Sequence, residues 1–222
     1  MLNYEIDPAL LQPFVPRGTE LDSWNGKTFV SMVGFLFLNT RVCGVPIPFH
    51  RNFEEVNLRF YVRRKAEDGW RRGVVFVKEI VPRFAIAAVA RFVYNERYVS
   101  LPMRHVVENH GSGVSAAYQW RYRNRWHSLS VVTSGEARAI DAGSEEGFIT
   151  EHYWGYSAQR DGRTVEYRVE HPRWRAWRVK EAKFDCDVAA LYGSPFVERL
   201  KAEPSAFLAE GSPVTVYRGL RI

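Results

Sequence analysis

One stretch of the chain alternates between apolar and polar residues with a period of two. In residues 53–64, one set of alternate positions is apolar: Val56, Leu58, Phe60 and Val62. The intervening positions are polar: Glu55, Asn57, Arg59 and Tyr61. This period predicts a β-strand with the two sets on opposite faces. An acid, an amide, a guanidinium and a phenol in one row indicate a polar pocket inside the fold. A solvated face is the alternative, because burying Arg and Glu is costly unless they pair.

The next predicted strand, residues 74–81, carries one carboxylate among valines. Alternation predicts that Glu79 shares a face with Val75, Val77 and Val81. A carboxylate on such a face needs a partner, and Arg59 on the neighbouring strand is the expected one. Glu55, Asn57, Arg59 and Glu79 therefore form the first candidate pocket set. A network that only fixes strand register is the alternative.

The remaining pattern predicts a single domain, residues 1–222, that is α+β and mainly β. Asp7 caps a short helix that ends at Pro13, and Ser144 caps another. Asn25-Gly26 is typical of a hairpin turn, and it precedes a long buried strand at residues 28–38. Asp68-Gly69 and Arg72-Gly73 bracket a predicted turn before residues 74–81, and Asn124-Arg125 is interpreted as the turn of an aromatic-rich hairpin. Residues 85–96 have the spacing of a helix.

The composition limits which cellular compartment and which binding partners we expect for this protein. The net charge is +6, and 25 of the 31 basic residues are Arg. Such a charge favours an anionic ligand, RNA or a membrane surface, although Arg also serves as an ordinary surface residue. Two cysteines, Cys43 and Cys186, argue against a disulfide-stapled secreted domain. The longest apolar run, residues 32–38, is too short to span a bilayer. We expect a cytoplasmic protein without membrane association.

Two segments, residues 118–126 and 173–178, are rich in both arginine and aromatic residues. Such segments suggest nucleic-acid binding as an alternative function. On the first, alternation segregates the aromatic residues from the basic ones. The aromatic face is Tyr118, Trp120 and Tyr122, and the polar face is Gln119, Arg121 and Arg123. A stacking platform needs both kinds of group exposed together. Segregation predicts an aromatic core with a basic exterior, so nucleic acid is disfavoured as a partner.

Two further pairs are candidate pocket residues. Arg104-His105 follows Pro102, and His105 is a candidate general base or anion ligand. Glu151-His152 lies at the start of a predicted strand, residues 152–158, and adjacent strand residues point to opposite faces, so only one of the two can reach the cavity. If Glu151 instead ends the preceding helical turn, it could cap that turn or bridge to Arg104. For each pair a structural role is the alternative. The six histidines show no HxH or HExxH spacing and no CxxC occurs, so no metal is expected. No dinucleotide, P-loop or hydrolase motif is present, and no cofactor is expected.

Longer segments carry a family resemblance. The runs NFEEVNLRFYVRR, RGVVFVKEIVPR and GFITEHYWGYS resemble the DUF2071 (YqjF-like) family of uncharacterised bacterial proteins, and the opening residues and the EYRVEHPRW and FLAEGS segments are similar to it as well. The resemblance covers essentially the whole chain. It implies a fold similar to acetoacetate decarboxylase: a strongly bent antiparallel sheet, close to a cone or barrel, with a central cavity and a few helices.

The resemblance also predicts what the chain lacks. Acetoacetate decarboxylase-like enzymes use a lysine that forms a Schiff base, its amine pKa lowered by an adjacent cation. In the similar segment Arg91 matches, but the lysine positions fall on Tyr98 and Val99. Sliding the match to residues 101–104 offers Met103 and Arg104, and Arg cannot act as that nucleophile. Glu55 matches the family's acid in the strand that faces the cavity.

These observations lead to three functional hypotheses. The first is a protein that binds a small carboxylate or hydroxylated ligand in a polar cavity, as an enzyme or not, without Schiff-base lysine chemistry. The second is a non-catalytic interaction protein whose basic outer faces bind an anionic partner. A scaffold with a purely structural polar network is a third reading.

Overall fold

The computed structural model describes residues 1–42, 45–46, 51–82 and 98–222. The predicted helix at residues 85–96 and Cys43 lie outside these ranges. The described strands are β1 Leu2–Ile6, β2 Glu20–Leu21, β3 Thr28–Phe37, β4 Arg41–Val42, β5 Val45–Pro46, β6 Phe53–Ala66, β7 Gly69–Val81, β8 Tyr98–Ser100, β9 Met103–Asn109, β10 Val114–Tyr122, β11 Arg125–Ala139, β12 Trp154–Ala158, β13 Thr164–Glu170, β14 Arg175–Asp185, β15 Ser205–Ala209, β16 Thr215–Val216 and β17 Leu220–Arg221. The described α-helices are α1 Pro8–Leu11, α2 Glu145–Thr150 and α3 Val188–Leu191, and single 3₁₀ turns span Gln12–Phe14 and Ser194–Phe196.

Fifteen of these strands form one large sheet, which confirms a mainly β fold. Its spatial order is β16, β13, β12, β7, β6, β3, β1, β15, β14, β11, β10, β9, with β17, β2 and β8 attached to β13, β6 and β7. Strands β4 and β5 pair separately. Strand β7 pairs in parallel with β8 and with β12, and the other described pairs are antiparallel. The sheet is therefore mixed rather than antiparallel throughout.

The described strands do not close the sheet into a barrel, so the barrel prediction is wrong. Its two ends are β9 and β16, and no described ladder joins them. Register shifts between β11 and β14 and between β6 and β7 mark the irregularities that bend such a sheet. On β9, His105 Nδ1 lies 2.7 Å from Glu54 Oε1 of β6. One end of the sheet thus approaches β6 through side chains instead of through backbone hydrogen bonds.

Strand β6 is buried on both faces. The predicted apolar set, Val56, Leu58, Phe60 and Val62, is fully buried in the main core. Residues of β1, β3, β7, β10 and β11 also belong to this core, as do residues of α3 and of the 3₁₀ turn at Ser194–Phe196. The opposite face of β6 contains the polar set. Because both faces are covered, each polar side chain of that set must find its partners inside the protein.

Local turn chemistry agrees with the sequence at several positions. Asp7 caps α1 by accepting from the Ala9 amide, and Ser144 caps α2 by accepting from the Gly147 amide. Asn25 and Gly26 both have positive φ, as a two-residue hairpin turn of this type requires. The turn between β10 and β11 is formed by Arg123 and Asn124, one position earlier than predicted.

Gly73 lies inside β7 rather than in the predicted turn, because the hairpin from β6 closes earlier, with Ala66 paired to Gly69. At Gly73 the parallel strand β12 begins to pair, and Trp154 is its register partner. An added Cβ would lie 2.6 Å from the carbonyl oxygen of Trp154 and 2.6 Å from the ring of Tyr156. Glycine is therefore required here by the close approach of two backbones.

We expect Gly73→Ala to destabilise the protein by about 1–3 kcal/mol, because the new methyl group meets backbone that cannot move aside without disturbing the parallel pairing. Urea unfolding measures the change. Gly143→Ala is the matched control, since an added Cβ there has nothing within 4 Å and φ is not positive. Equal stability of the two variants would contradict the close approach.

Candidate functional site

A β-bulge in β7 decides which side chains face each other across β6 and β7. Leu58 pairs with Lys78, whereas the next residue, Arg59, pairs with Phe76, so the register shifts around Val77. Val75 consequently pairs with Phe60 and joins the main core, while Glu79 pairs with Asn57 on the other face. The prediction that Val75 and Val77 share a face with Glu79 is therefore wrong. An inserted residue exchanges the faces of all residues on one side of it.

Glu79 and Arg59 lie on the same face of the sheet but do not form the expected ion pair. Glu79 instead lies opposite Asn57 and beside Tyr98 of the parallel strand β8. Asn57 Nδ2 donates to Glu55 Oε1 at 3.0 Å, and the Tyr98 hydroxyl donates to Glu55 Oε2 at 3.3 Å. We call Glu55, Asn57, Glu79 and Tyr98 the acidic cluster. Its four members are buried, and Glu55 is 2% exposed.

Tyr98 occupies the position that the resemblance assigns to a lysine. Its hydroxyl bonds to Glu55, the acid that the resemblance places in the cavity-facing strand. All six lysines of the chain lie in its described part, and none faces the acidic cluster. Lys27, Lys183 and Lys201 pair with surface carboxylates, and Lys65 and Lys180 are exposed. Lys78 projects to the apolar face, where its ammonium donates to the Leu191 carbonyl at the end of α3.

Arg59 lies on the same face as the acidic cluster, further along β6. Across β3 it is opposite Ser31, and across β7 it is opposite Phe76. The guanidinium carbon is 5.7 Å from the centre of the Tyr61 ring. Arg59 is partly buried, and its Nε atom is fully buried without a hydrogen-bond partner. Among the described residues no carboxylate forms an ion pair with it.

A chain of buried hydrogen bonds runs from Tyr61 across the sheet. The Tyr61 hydroxyl donates to Ser31 Oγ at 2.7 Å, and the Ser31 hydroxyl donates to Asn3 Oδ1 at 2.7 Å. Asn3 Nδ2 donates in turn to the Ser205 carbonyl at 3.4 Å. This chain fixes the Tyr61 ring, which is packed between Arg59 and His152.

His152 is buried against Tyr61 and forms a pair with Asp22. The two ring centres of Tyr61 and His152 are 4.7 Å apart, and the His152 side chain is 1% exposed. His152 Nε2 lies 3.2 Å from Asp22 Oδ2, and Arg72 Nε donates to the same oxygen at 2.6 Å. We call Asp22, Arg72 and His152 the histidine cluster. Arg59 and His152 thus contact the same aromatic ring from neighbouring parts of one buried region.

Burial and hydrogen bonding determine the protonation states of Asp22 and His152. Burial alone would raise the pKa of Asp22, but hydrogen bonds from His152 and Arg72 hold it at about 2. Burial lowers the pKa of His152 to about 4, although the hydrogen bond to Asp22 acts in the opposite direction. At neutral pH a carboxylate therefore faces a neutral imidazole. A carboxylate accepts but cannot donate, so Nε2 carries the proton and Nδ1 carries the lone pair. Nδ1 is buried and has no hydrogen-bond partner.

Three of the predicted pocket residues lie elsewhere. Arg104 is exposed, donates to Gln119 and stacks on Trp126 at 4.3 Å. His105 is also exposed and contacts Glu54. Glu151 accepts from Tyr153 at 2.8 Å and from Arg173 at 3.1 Å. The predicted bridge from Glu151 to Arg104 is wrong, because Glu151 ends α2 and its side chain is engaged by Arg173.

The outer basic residues largely have partners of their own. Tyr118 and Trp120 are buried and Arg121 is exposed, as the segregation on β10 predicts. Arg121 donates to Asn124, and Arg125 pairs with Asp185. Within the described ranges, no helix is long and apolar enough to cross a membrane. The same ranges contain no group of three potential metal ligands.

Sequence reasoning missed Asp22, Arg72, Ser31, Asn3 and Tyr98 as neighbours of the polar row. Two of them could have been noticed in the sequence. Ser31 is the one polar residue in the middle of an apolar strand, and Asn3 lies between the apolar residues Leu2 and Tyr4. Asp22 and Arg72 come together from elements fifty residues apart in the chain, and no local pattern indicates their contact.

Solved structures with the same fold define the class of protein. The acetoacetate decarboxylase of Legionella pneumophila superposes with a TM-score of 0.62 at 13% identity, covering 100% of this chain and 82% of that one. The enduracididine biosynthesis enzyme MppR, complexed with pyruvate, gives 0.63 at 13% identity, covering 94% and 81%. An acetoacetate decarboxylase-like enzyme from Sphingomonas wittichii gives 0.59 at 15% identity, covering 99% and 86%. The protein therefore has an acetoacetate decarboxylase-like fold.

Sequence comparison identifies the family within that class. The DUF2071 family, described as an uncharacterized conserved protein, matches residues 1–213, and the chain belongs to this family. The uncharacterized protein YqjF of Bacillus subtilis is 26% identical over 223 residues, which is 96% of this chain and 84% of that protein. The family and the fold expected from the sequence are thus confirmed. The central cavity that the resemblance implies stays a prediction.

The histidine cluster predicts how stability depends on pH. The pKa of His152 is about 4 in the folded protein against an ordinary value of 6.5, so unfolding takes up a proton between these values. The contribution is present above pH 6.5 and is lost as the pH falls towards 4. We expect the free energy of unfolding to fall by about 2–3 kcal/mol more in the wild type than in His152→Phe between pH 7 and about pH 4.5.

Urea unfolding at the two pH values measures this difference. His110→Gln is the control, since His110 is exposed and contacts Ser115 at the surface. Parallel pH profiles for the wild type and His152→Phe would show that His152 is not held neutral by burial.

Proposed function

We propose that this protein binds a small carboxylic acid on the buried polar face of β6. Arg59 binds the carboxylate, and His152 Nδ1 accepts a hydrogen bond from a hydroxyl group of the same ligand. The observation that carries the proposal is the state of Arg59: a partly buried guanidinium without an ion pair to any described carboxylate. Arginine matches a carboxylate with two parallel hydrogen bonds, so a ligand anion is its natural partner.

The second anchor follows from the protonation of His152. Nδ1 is a buried acceptor without a donor, and leaving such a group unsatisfied costs about 1–3 kcal/mol. Asp22 fixes the imidazole so that its lone pair, and not its N–H group, is the one available. A hydroxyl group supplies the missing donor. If the bound acid is also a substrate, the same lone pair is the base that receives its proton.

The absence of a lysine on this face supports a chemistry without a Schiff base. A Schiff base requires a free amine beside the ligand carbonyl, and none of the six lysines is there. MppR, which shares the fold, is complexed with pyruvate, a small carboxylate. This likeness supports the ligand class and not the reaction.

The proposal predicts which arginine matters for binding. Isothermal titration calorimetry with L-lactate and with pyruvate is expected to show binding to the wild type. We expect Arg59→Gln to weaken it about 10-fold or more, because a hydrogen bond to a charged group contributes about 1.5–3 kcal/mol. Arg104→Gln is the matched control, since Arg104 is exposed and bonds to Gln119. Unchanged affinity in Arg59→Gln, or no binding of either acid to the wild type, would refute the carboxylate site.

The role of His152 is tested by comparing lactate with propionate, which lacks the hydroxyl group. We expect the wild type to prefer lactate, and His152→Phe to bind the two acids equally while keeping an aromatic ring against Tyr61. A preference that survives in His152→Phe would exclude Nδ1 as the acceptor. Circular dichroism of each variant establishes that it folds.

A further inference from the structure

A cavity that is partly open to solvent lies on the other side of β1 from the polar row. It has a volume of about 560 Å³ and lies between β1, the end of β14, α3 and residues 197–204. Successive residues of β1 point to opposite faces, so Leu2 and Tyr4 line this cavity while Asn3 joins the hydrogen-bond chain to Ser31 and Tyr61. The cavity is therefore separate from the site proposed for the carboxylate.

Most of the side chains that line the cavity are apolar, and three are charged. The apolar lining residues are Leu2, Phe184, Val188, Val197 and Leu200, with alanines between them. Cys186 also lines it, and burial raises the pKa of its thiol to about 12, so the thiol adds no charge at neutral pH. A cavity of about 300–1,000 Å³ with this lining is typical of sites for small organic molecules.

Tyr4 contributes a hydroxyl group to the lining of the cavity. The residue as a whole is buried, but its hydroxyl is not one of the fully buried polar atoms without a partner, and it forms no hydrogen bond with any described residue. Burial raises its pKa, which keeps the phenol protonated. The hydroxyl is therefore accessible to a ligand that offers an acceptor or a donor.

The charged groups at the cavity all have partners in the protein. Lys201 pairs with Glu198 at 2.9 Å, and Asp185 pairs with Arg125. Asp187 caps α3 by accepting from the Ala190 amide at 3.1 Å. A charged ligand would have to compete with these contacts, and the two aspartates disfavour an anion. A neutral ligand meets neither obstacle.

We propose that this cavity is a second binding site, for a neutral and mostly apolar ring molecule with one hydrogen-bonding group that contacts the Tyr4 hydroxyl. It differs from the site on β6 in place, in charge and in ligand class. The apolar walls bind the ring, and Tyr4 selects the molecules that carry a polar group at one edge.

The test uses two ligands of nearly the same shape, indole and indene, of which only indole has an N–H group. Ligand-observed NMR titration of the wild type is expected to show tighter binding of indole. We expect Tyr4→Phe to weaken indole by about 3- to 10-fold and to leave indene unchanged, because a single neutral hydrogen bond contributes about 0.5–1.5 kcal/mol. Tyr118→Phe is the control, since Tyr118 is also a buried tyrosine but does not line the cavity.

A filling variant tests the location independently. Ala182 lines the cavity, and Ala182→Phe is expected to abolish binding of both ligands in a protein that circular dichroism shows to be folded. Arg59→Gln should bind indole as the wild type does, so this proposal can fail or hold separately from the carboxylate site. No binding of indole or indene to the wild type, equal binding to Ala182→Phe, or equal loss of indole affinity in Tyr4→Phe and Tyr118→Phe would overturn it.

Discussion

The structure depends on the burial of β6 on both faces. A strand covered on one side only can leave its alternate residues in water, whereas β6 must satisfy Glu55, Asn57 and Tyr61 within the protein. The neighbouring strands supply these partners: Tyr98 from β8 and Ser31 from β3. The strands beside β6 must therefore contain polar residues that bond to it. This explains why Ser31 lies in the apolar middle of β3.

The opposite charges of the polar face lie at different positions along β6. The bulge near Val77 places Val75 in the main core and Phe76 opposite Arg59, while Glu79 lies opposite Asn57. The carboxylates Glu55 and Glu79 lie near Tyr98, and the guanidinium of Arg59 lies further along β6 beside Tyr61. Separation of opposite charges inside a protein is unfavourable, so it is informative where it occurs.

The sequence predicted the parts of this arrangement that local rules control. A period of two identified both faces of β6, and Asn25-Gly26 and the helix caps at Asp7 and Ser144 were visible from single residues. The bulge could not be predicted, because one inserted residue in a run of valines leaves the composition unchanged. The pairing of Asp22 with His152 joins residues 130 positions apart, and only the folded sheet brings them together. His105 and Arg104 were candidates by type, but β9 is an end strand and exposes them.

Strand β1 lies between the buried polar face and the cavity. Its five residues are shared, with Asn3 bonded to Ser31 on one side and Leu2 and Tyr4 bordering the cavity on the other. A movement of this strand along its axis therefore changes both environments at once. By thermodynamic reciprocity, any occupant that shifts β1 from one side alters the affinity on the other by the same factor that it experiences in return. A substitution in β1 therefore changes the surroundings of both the buried polar face and the cavity.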